Sequence, residues 1–202
     1  MPERDLQDLI RVYRRDQVVT TALRVIGRSE SVDVSMEEIA AEAGVSRSTI
    51  YNHFRDRAEL LAACADWSYG HLASAMQKSL EIDAPPAELL TRFFEAAFRC
   101  LDENPGFYRL ATSLRAPATG AEEVLGLHLT MAASQSREQI DRLIDRVMTD
   151  ADLVADRDTV TAFVGVVLSG SLQRRAISTE SRPAGDAARE VAELLLFGLV
   201  RR

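Results

Sequence analysis

The chain has 202 residues, of which 47% are hydrophobic, and a formal net charge of −7 at pH 7. No run approaches the roughly 18 apolar residues that a membrane-spanning helix needs, and the first residues carry charges where a secretory signal would be apolar. The two cysteines, Cys64 and Cys100, are far apart and lack metal-ligand spacing. We therefore expect a cytoplasmic protein with reduced thiols, no metal site and no cofactor.

Positive charge is concentrated in one short segment. Residues 1–60 hold nine arginines against eleven acidic residues, whereas residues 44–57 hold three arginines and one acidic residue. Residues 61–202 hold 15 basic and 20 acidic residues. The overall charge argues against a nucleic-acid partner, but the local excess is compatible with DNA binding.

Apolar residues recur at helical spacing along most of the chain. Three such stripes begin at Val19, Leu60 and Val160. Breaks that contain proline or glycine at 84–86, 104–106, 116–120 and 182–185 divide the chain into about nine helices. No run alternates with the period of a strand, so the sequence predicts an all-α fold.

Residues 35–54 predict two short helices joined by a tight turn. Ser35 and Glu38 fit a capping box that starts the first helix. Gly44 ends this helix in a left-handed conformation, and Ser46 can cap the second helix two residues later. Small residues at Ala40 and Gly44 would let the two backbones cross closely. This is the geometry of a helix-turn-helix, whose second helix enters the major groove of DNA.

The exposed face of the second helix suits DNA. Arg47 can fork onto guanine O6 and N7, while Ser46 and Ser48 can donate to bases or phosphates. Asp56 and Glu59 resemble a further cap, at the start of a long third helix. The candidate DNA contacts are Ser35, Ser46, Arg47, Ser48, Thr49, Tyr51, Asn52, His53 and Arg57.

Residues 35–61 resemble the DNA-binding signature of the TetR family of transcriptional regulators. The residues that match it in order and spacing are Ile39, Ala40, Ala43, Gly44, Val45, Ser46, Tyr51, His53, Phe54, Arg57 and Leu60. The resemblance implies an all-helical, ligand-responsive dimer. Residues 1–60 would form the three-helix DNA-binding head, and residues 61–202 a helical bundle for ligand binding and dimerisation.

The sequence departs from the family pattern at three places. Glu30 and Ser31 stand where glycine and an aromatic residue are usual, and Arg57 replaces the usual lysine. The N-terminal arm, residues 1–16, mixes arginines with acidic residues, whereas the family often has a basic arm. A minor-groove role for this arm is therefore not expected.

The resemblance also implies a ligand pocket among the middle helices. Aromatic residues cluster there, which favours a small, largely hydrophobic effector held by a few polar groups. The candidate ligand contacts are Trp67, His71, Phe94, Phe98, Phe107, Leu110, His128 and Met131. Taken one by one, the aromatic residues among them are better interpreted as ordinary core, and the two histidines as partly buried or surface residues.

Reading two-fold symmetric DNA requires a two-fold protein interface. We expect a homodimer built on the last two helices, near residues 158–178 and 186–202, where small residues and excess apolar surface coincide. The candidate interface residues are Ala162, Phe163, Gly165, Val167, Ser169, Leu172, Val191, Leu195 and Leu199. The alternative, in which both helices only close the core of the monomer, stays open.

The sequence thus predicts a DNA-binding repressor that a small effector releases from a palindromic operator. No GxSxG, P-loop, GxGxxG or HExxH motif supports an enzyme. Two alternatives remain: a module whose head binds a protein partner, and a helical enzyme that does not bind DNA.

Overall fold

A computed structural model describes the backbone of residues 2–29, 33–113, 137–147, 155–178 and 182–199. Within these ranges the chain forms nine helices and no strand, so the predicted all-α fold is confirmed. The helices are α1 (Pro2–Arg28), α2 (Met36–Ala43), α3 (Arg47–His53), α4 (Arg57–Ser79), α5 (Pro86–Glu103), α6 (Pro105–Ser113), α7 (137–147), α8 (Arg157–Ile177) and α9 (Ala184–Leu199). None of the described helices is long and apolar enough to cross a membrane.

The N-terminal segment is helical. Residues 2–28 form one continuous helix, so the chain has no extended arm in this region. The apolar positions of the sequence explain only the second half of α1, where Val19, Leu23 and Ile26 are buried. The first half, residues 7–17, is exposed. The departure from the family pattern at Glu30 and Ser31 falls outside the described residues.

The first of two compact units comprises Met1–Ser68 and Asn104–Thr130. In its described part, α1 packs against α2 and α6, and α2 packs against α3. The helix α6 approaches α1 closely, because a Cβ atom built on Gly27 would lie 2.9 Å from the backbone nitrogen of Gly106. The side chain of Arg109 on α6 also donates to the carbonyl oxygen of Ser29.

The second unit comprises Tyr69–Glu103 and Met131–Arg202, and it is organised around α5. The apolar face of α5 packs against α8 and α9. Phe93, Phe94 and Phe98 stack edge to face along it, with centroid separations of 6.0 and 6.1 Å. Arg175 of α8 makes two 2.6 Å hydrogen bonds to Asp102 of α5, and its guanidinium lies 5.6 Å from the ring centroid of Phe98.

The sequence predicts a functional boundary at residue 60. This boundary does not coincide with the boundary between the two packing units. The packing units part within α4, after Ser68, and the first unit also includes α6. The functional division therefore stays a prediction.

Candidate nucleic-acid interface

The helix α2 begins with a complete capping box. The backbone N–H of Glu38 donates to Ser35 Oγ at 3.1 Å, and the backbone N–H of Ser35 donates to Glu38 Oε2 at 2.8 Å. The backbone N–H and the hydroxyl of Ser35 both donate to the Glu38 carboxylate, and these two hydrogen bonds lower the pKa of Glu38 below its ordinary value. Because Ser35 and Glu38 are occupied with each other, their main role is to set where α2 starts.

Gly44 forms the turn between α2 and α3. It has φ 67° and ψ 28°, the left-handed conformation that glycine adopts without a steric penalty. The backbone N–H of the next residue, Val45, donates to the carbonyl of Ala40 at 3.0 Å and closes the turn. A Cβ built on Gly44 would meet nothing within 4 Å, so the expectation that Gly44 permits a close crossing was wrong. Its backbone conformation is what the turn requires.

The second helix, α3, is capped by Ser46. The backbone N–H of Thr49 donates to Ser46 Oγ at 3.1 Å, and this oxygen also lies 2.8 Å from the hydroxyl oxygens of Ser48 and Thr49. Ser46 is therefore used to start α3. Ser48, one residue into the helix, is exposed at its surface.

The helix α3 has two different faces. Ile50 and the following Phe54 are fully buried and anchor it to the unit. Arg47, Ser48, Tyr51 and Asn52 are exposed, while Thr49 and His53 are half-buried. The exposed residues present hydroxyl, amide and guanidinium groups, the donors and acceptors that read base edges and phosphates.

Arg47 lies at the N-terminal end of α3, the end that contacts bases when a recognition helix enters the major groove. Its side chain is 72% exposed. The guanidinium Nη2 lies 2.9 Å from Oε1 of Glu37 on α2, and its central carbon lies 5.7 Å from the ring centroid of Tyr51. Two neighbours therefore constrain this side chain before any ligand arrives.

A cluster of positive charge lies beside the C-terminal end of α3. Partial burial, followed by the charges of Arg11, Arg14 and Arg15 on α1, lowers the pKa of His53 below its ordinary value. The guanidinium of Arg15 also lies 5.0 Å from the ring centroid of Phe54. The sequence prediction did not include these arginines. Their helical spacing on one face of α1 was the available signal, but nothing local indicated that this face meets α3.

Arg57 connects the start of α4 to the segment before α2. Its Nε donates to the carbonyl oxygen of Val34 at 3.1 Å, and its Nη2 lies 3.5 Å from Asp33. The cap predicted at the start of α4 is present, because the backbone N–H of Glu59 donates to Asp56 Oδ1 at 2.9 Å. Glu59 itself accepts from the backbone N–H of Arg55 at 2.8 Å. Arg57 thus has a structural role in addition to the DNA contact predicted for it.

The predicted effector residues are divided between the two packing units. Trp67, Phe107 and Leu110 belong to the first unit, where Phe107 and Leu110 are buried and Trp67 is half-buried. In the second unit, Phe94 and Phe98 are buried in the core and His71 is exposed. His128 and Met131 lie outside the described residues.

Two clefts lie within the described part of the second unit. A cleft of about 110 Å³ is bordered by Phe98, Arg174, Arg175, Val191 and Leu194, among others. The other, of about 370 Å³, is lined mainly by polar side chains, among them Gln77, Gln139 and Arg146. Gln139 is buried, and its Oε1 has no hydrogen-bond partner among the described residues. Of the predicted effector residues, Phe98 alone borders one of these two clefts.

The predicted dimer residues face different surroundings. Ala162, Phe163 and Ser169 are exposed on α8, and Val167, Leu172 and Val191 are half-buried. Leu195 is buried inside the protomer, and a Cβ on Gly165 would face Ile140 of α7 at 3.8 Å. These two therefore contact their own protomer, and the interface as a whole stays a prediction. The side chain of Leu199 lies outside the described residues.

The exposed apolar surface of the last two helices includes one predicted interface residue, Phe163, together with neighbours that were not among the predicted contacts. On α8 it is formed by Phe163 and Val166, which are 48% and 69% exposed. On α9 it is formed by Leu194 and Phe197, which are 68% and 70% exposed. Helical periodicity alone could not show that Leu194 is exposed while Leu195 is buried, because α9 is apolar on most of its circumference.

Possible metal ligands and reactive thiols were also sought among the described residues. No cluster of three or more His, Cys, Asp or Glu side chains that could hold a metal is found there. Both cysteines are buried thiols, and burial raises the pKa of each, that of Cys100 to about 12. These thiols are poor nucleophiles at neutral pH.

Two capped helices, a left-handed glycine between them and a polar exposed face on the second define a helix-turn-helix DNA-binding protein. The family model for bacterial regulatory proteins of the tetR family matches residues 19–64. The chain is 27% identical over 172 residues to the HTH-type transcriptional regulator BetI of Rhizobium meliloti, covering 85% of this chain and 84% of that one. Residues 19–64 thus resemble the DNA-binding region of tetR-family proteins, and the chain is similar along most of its length to an HTH-type transcriptional regulator.

Solved structures share the fold along nearly the whole chain. The TetR family regulator PfmR from Thermus thermophilus matches with a TM-score of 0.70 and 24% identity, covering 93% of this chain and 98% of that one. The regulator FadR from Bacillus subtilis, in complex with stearoyl-CoA, matches with a TM-score of 0.73 and 18% identity, covering 90% and 97%. At this identity the likeness shows the fold alone.

Proposed function

We propose that the protein is a homodimeric repressor that a small, largely hydrophobic effector releases from a palindromic operator. The observation that carries the proposal is the exposed polar face of α3, which is held in a helix-turn-helix by buried Ile50 and Phe54. A helix that only packs against the core needs no exposed polar face, whereas a helix that enters the major groove does.

The charge distribution supports DNA contact by the head alone. Arg47 and the arginines beside His53 bring positive charge to the two ends of α3. The rest of the chain, residues 61–202, carries an excess of acidic residues. Like charges repel, so this body is expected to stay away from the phosphates while the head approaches them.

The exposed apolar residues of α8 and α9 support dimerisation. Phe163, Val166, Leu194 and Phe197 would cost free energy if they stayed in water, at about 25 cal/mol per Å² of apolar area. A two-fold interface that buries them would place two heads on one DNA duplex. The recognition helices must then lie about 34–36 Å apart to enter successive major grooves.

The effector proposal rests on the resemblance to the TetR family and on fold similarity. A protein of the same fold, FadR of Bacillus subtilis, binds stearoyl-CoA. The Oε1 of buried Gln139 has no hydrogen-bond partner among the described residues, so it offers one polar anchor to which a ligand N–H or O–H could donate. An effector releases DNA only to the extent that it binds the DNA-free arrangement of the dimer more tightly.

The proposed division of labour follows the sequence. Residues 1–60 would bind DNA, and residues 61–202 would bind the effector and the second protomer. The cytoplasmic location also remains a proposal, as does the absence of enzymatic activity. The family whose model matches residues 19–64 is one of bacterial regulatory proteins.

A mobility-shift assay tests the proposal directly. Purified protein is titrated against duplexes from the DNA upstream of its own gene and against a scrambled duplex of the same composition. We expect a retarded complex on the upstream DNA only, which weakens steeply as salt rises because counterions are released from phosphates. If no duplex is bound, the repressor proposal is wrong, and a pull-down and activity screens then test the partner-binding and enzyme alternatives.

A further inference from the structure

Glu37 and Arg47 form an ion pair on the exposed surface of the helix-turn-helix. Glu37 lies in the first turn of α2 and Arg47 at the start of α3, and their Oε1 and Nη2 atoms are 2.9 Å apart. The Glu37 side chain is 49% exposed. Exposed ion pairs contribute little to fold stability, so the folded head does not depend on this contact.

The pair leaves Arg47 able to read a base. A guanidinium has five N–H donors, and Glu37 occupies one terminal nitrogen on one side. The remaining donors are enough for a fork onto guanine O6 and N7. The ring of Tyr51, 5.7 Å from the guanidinium, restricts the side chain from a second direction.

We propose that Glu37 is a positioning residue that holds Arg47 for a guanine in the operator. The proposal rests on the proposed function, in which α3 reads the major groove. Freezing a long, flexible side chain opposes binding, and a side chain already restrained in the free protein loses less freedom when it binds. The Glu37 carboxylate therefore favours the guanine-bound geometry of Arg47.

The same carboxylate also discriminates against non-specific binding. A negative charge at the surface that faces DNA is repelled by phosphates of any sequence. When the correct guanine is present, the restrained Arg47 compensates for this repulsion. Glu37 thus raises the ratio of specific to non-specific affinity in two ways: it strengthens binding to the correct guanine and weakens binding to other sequences.

The test compares base preferences among matched variants. Wild-type protein selects its preferred duplexes from a random-sequence library, and each variant is then run through the same selection. The variants are Glu37→Gln, Glu37→Asp, Arg47→Ala and the double change of Glu37→Gln with Arg47→Ala. The control is Glu42→Gln, which removes the same charge from the same helix but from a pair with Arg24 and Arg28, at 3.4 and 3.3 Å.

We expect Arg47→Ala to remove a guanine preference at one position of each half-site and lower specific affinity by about 5- to 100-fold. Glu37→Gln should weaken the guanine preference at that same position. The ratio of specific to non-specific affinity should fall by roughly three- to tenfold. Glu37→Asp, which keeps the charge but shortens the reach, should weaken the preference without raising non-specific affinity. In the Arg47→Ala background, Glu37→Gln should change no base preference.

The results separate this proposal from the one on which it rests. If Glu37→Gln leaves the base profile unchanged, as Glu42→Gln is expected to, the positioning role is excluded while DNA binding stands. If Glu37→Gln alters a position that Arg47→Ala does not, Glu37 acts on its own and the proposal is also wrong. If the wild-type protein selects no duplex at all, the proposed function fails and this role falls with it.

Discussion

The α carbon of Gly106 lies so close to the carbonyl oxygen of Leu23 that a methyl group at position 106 would overlap it. The neighbour is backbone and cannot rotate away, so Gly106→Ala must displace α6 from α1. We expect a loss of about 1–3 kcal/mol in the free energy of unfolding, typical of overpacking. Urea denaturation followed by circular dichroism measures it.

The matched control is Gly170→Ala on α8. A Cβ at Gly170 would meet nothing within 4 Å, and alanine favours a helix over glycine by up to about 1 kcal/mol. This variant should therefore be as stable as wild type or slightly more stable. Equal losses from both substitutions would show that the α1–α6 crossing tolerates a side chain at residue 106.

Ser46→Ala should destabilise the head by about 1 kcal/mol, because the backbone N–H of Thr49 loses its acceptor. Ser48→Ala serves as the control, since the exposed Ser48 hydroxyl contacts Ser46 Oγ but itself accepts from no backbone N–H among the described residues. It should leave thermal unfolding unchanged while weakening DNA binding, if Ser48 donates to DNA. A Ser48→Ala variant that melts earlier than Ser46→Ala would contradict this assignment of the cap.

Stability should depend on pH through His53. Its pKa in the folded protein is depressed, whereas in the unfolded chain it has its ordinary value of about 6.5. Between these values the unfolded chain binds more protons, so stability falls as pH falls from above 6.5 towards the folded pKa. The melting temperature of His53→Gln should fall less between about pH 7.5 and pH 5.5 than that of wild type.

The same histidine should couple DNA binding to pH. Phosphate near His53 would offset the charges of Arg11, Arg14 and Arg15 and favour the protonated ring. Wild-type affinity for DNA should then rise more steeply on mild acidification than that of His53→Gln. His71→Gln, on exposed His71 of the second unit, is the control and should behave as wild type. Parallel pH profiles for all three proteins would remove His53 from the interface.

Phe163→Glu combined with Phe197→Glu should give a folded monomer with much weaker operator binding. Both side chains are exposed in the protomer, so charge there opposes a two-fold apolar interface without disturbing the core. Leu195→Glu is the contrasting variant, because burying an unpaired carboxylate costs several kcal/mol and should unfold the chain. Sedimentation of the double variant as a dimer would place the interface elsewhere.

An effector should act on stability and DNA affinity together. A ligand at a hundred times its Kd raises the free energy of unfolding by about 2.7 kcal/mol if it binds the folded state alone. Half-buried Trp67 can report binding by fluorescence. Apolar compounds that raise the melting temperature should also lower operator affinity. A compound that stabilises the protein strongly but leaves operator affinity unchanged would contradict the coupling.

The parts of the structure that were predictable are those that short-range rules determine. Ser35, Gly44 and Ser46 each act within a few residues of their own position, so the order of residues was enough to place the helix-turn-helix. Contacts between distant segments were not predictable. Nothing in the sequence showed that Arg15 meets Phe54 or that Gly106 meets Leu23, because helical periodicity gives a buried face without naming its partner.

The hydrogen bonds that start α2, α3 and α4 also have a kinetic consequence. Each joins residues three apart in the chain, as between Asp56 and Glu59, so little chain entropy is lost when it forms. The crossing of α6 over α1 joins residues about eighty apart, as between Ser29 and Arg109. Contacts between residues close in sequence form fastest. We therefore expect the helix-turn-helix to be in place early in folding, and the docking of α6 to complete the first unit.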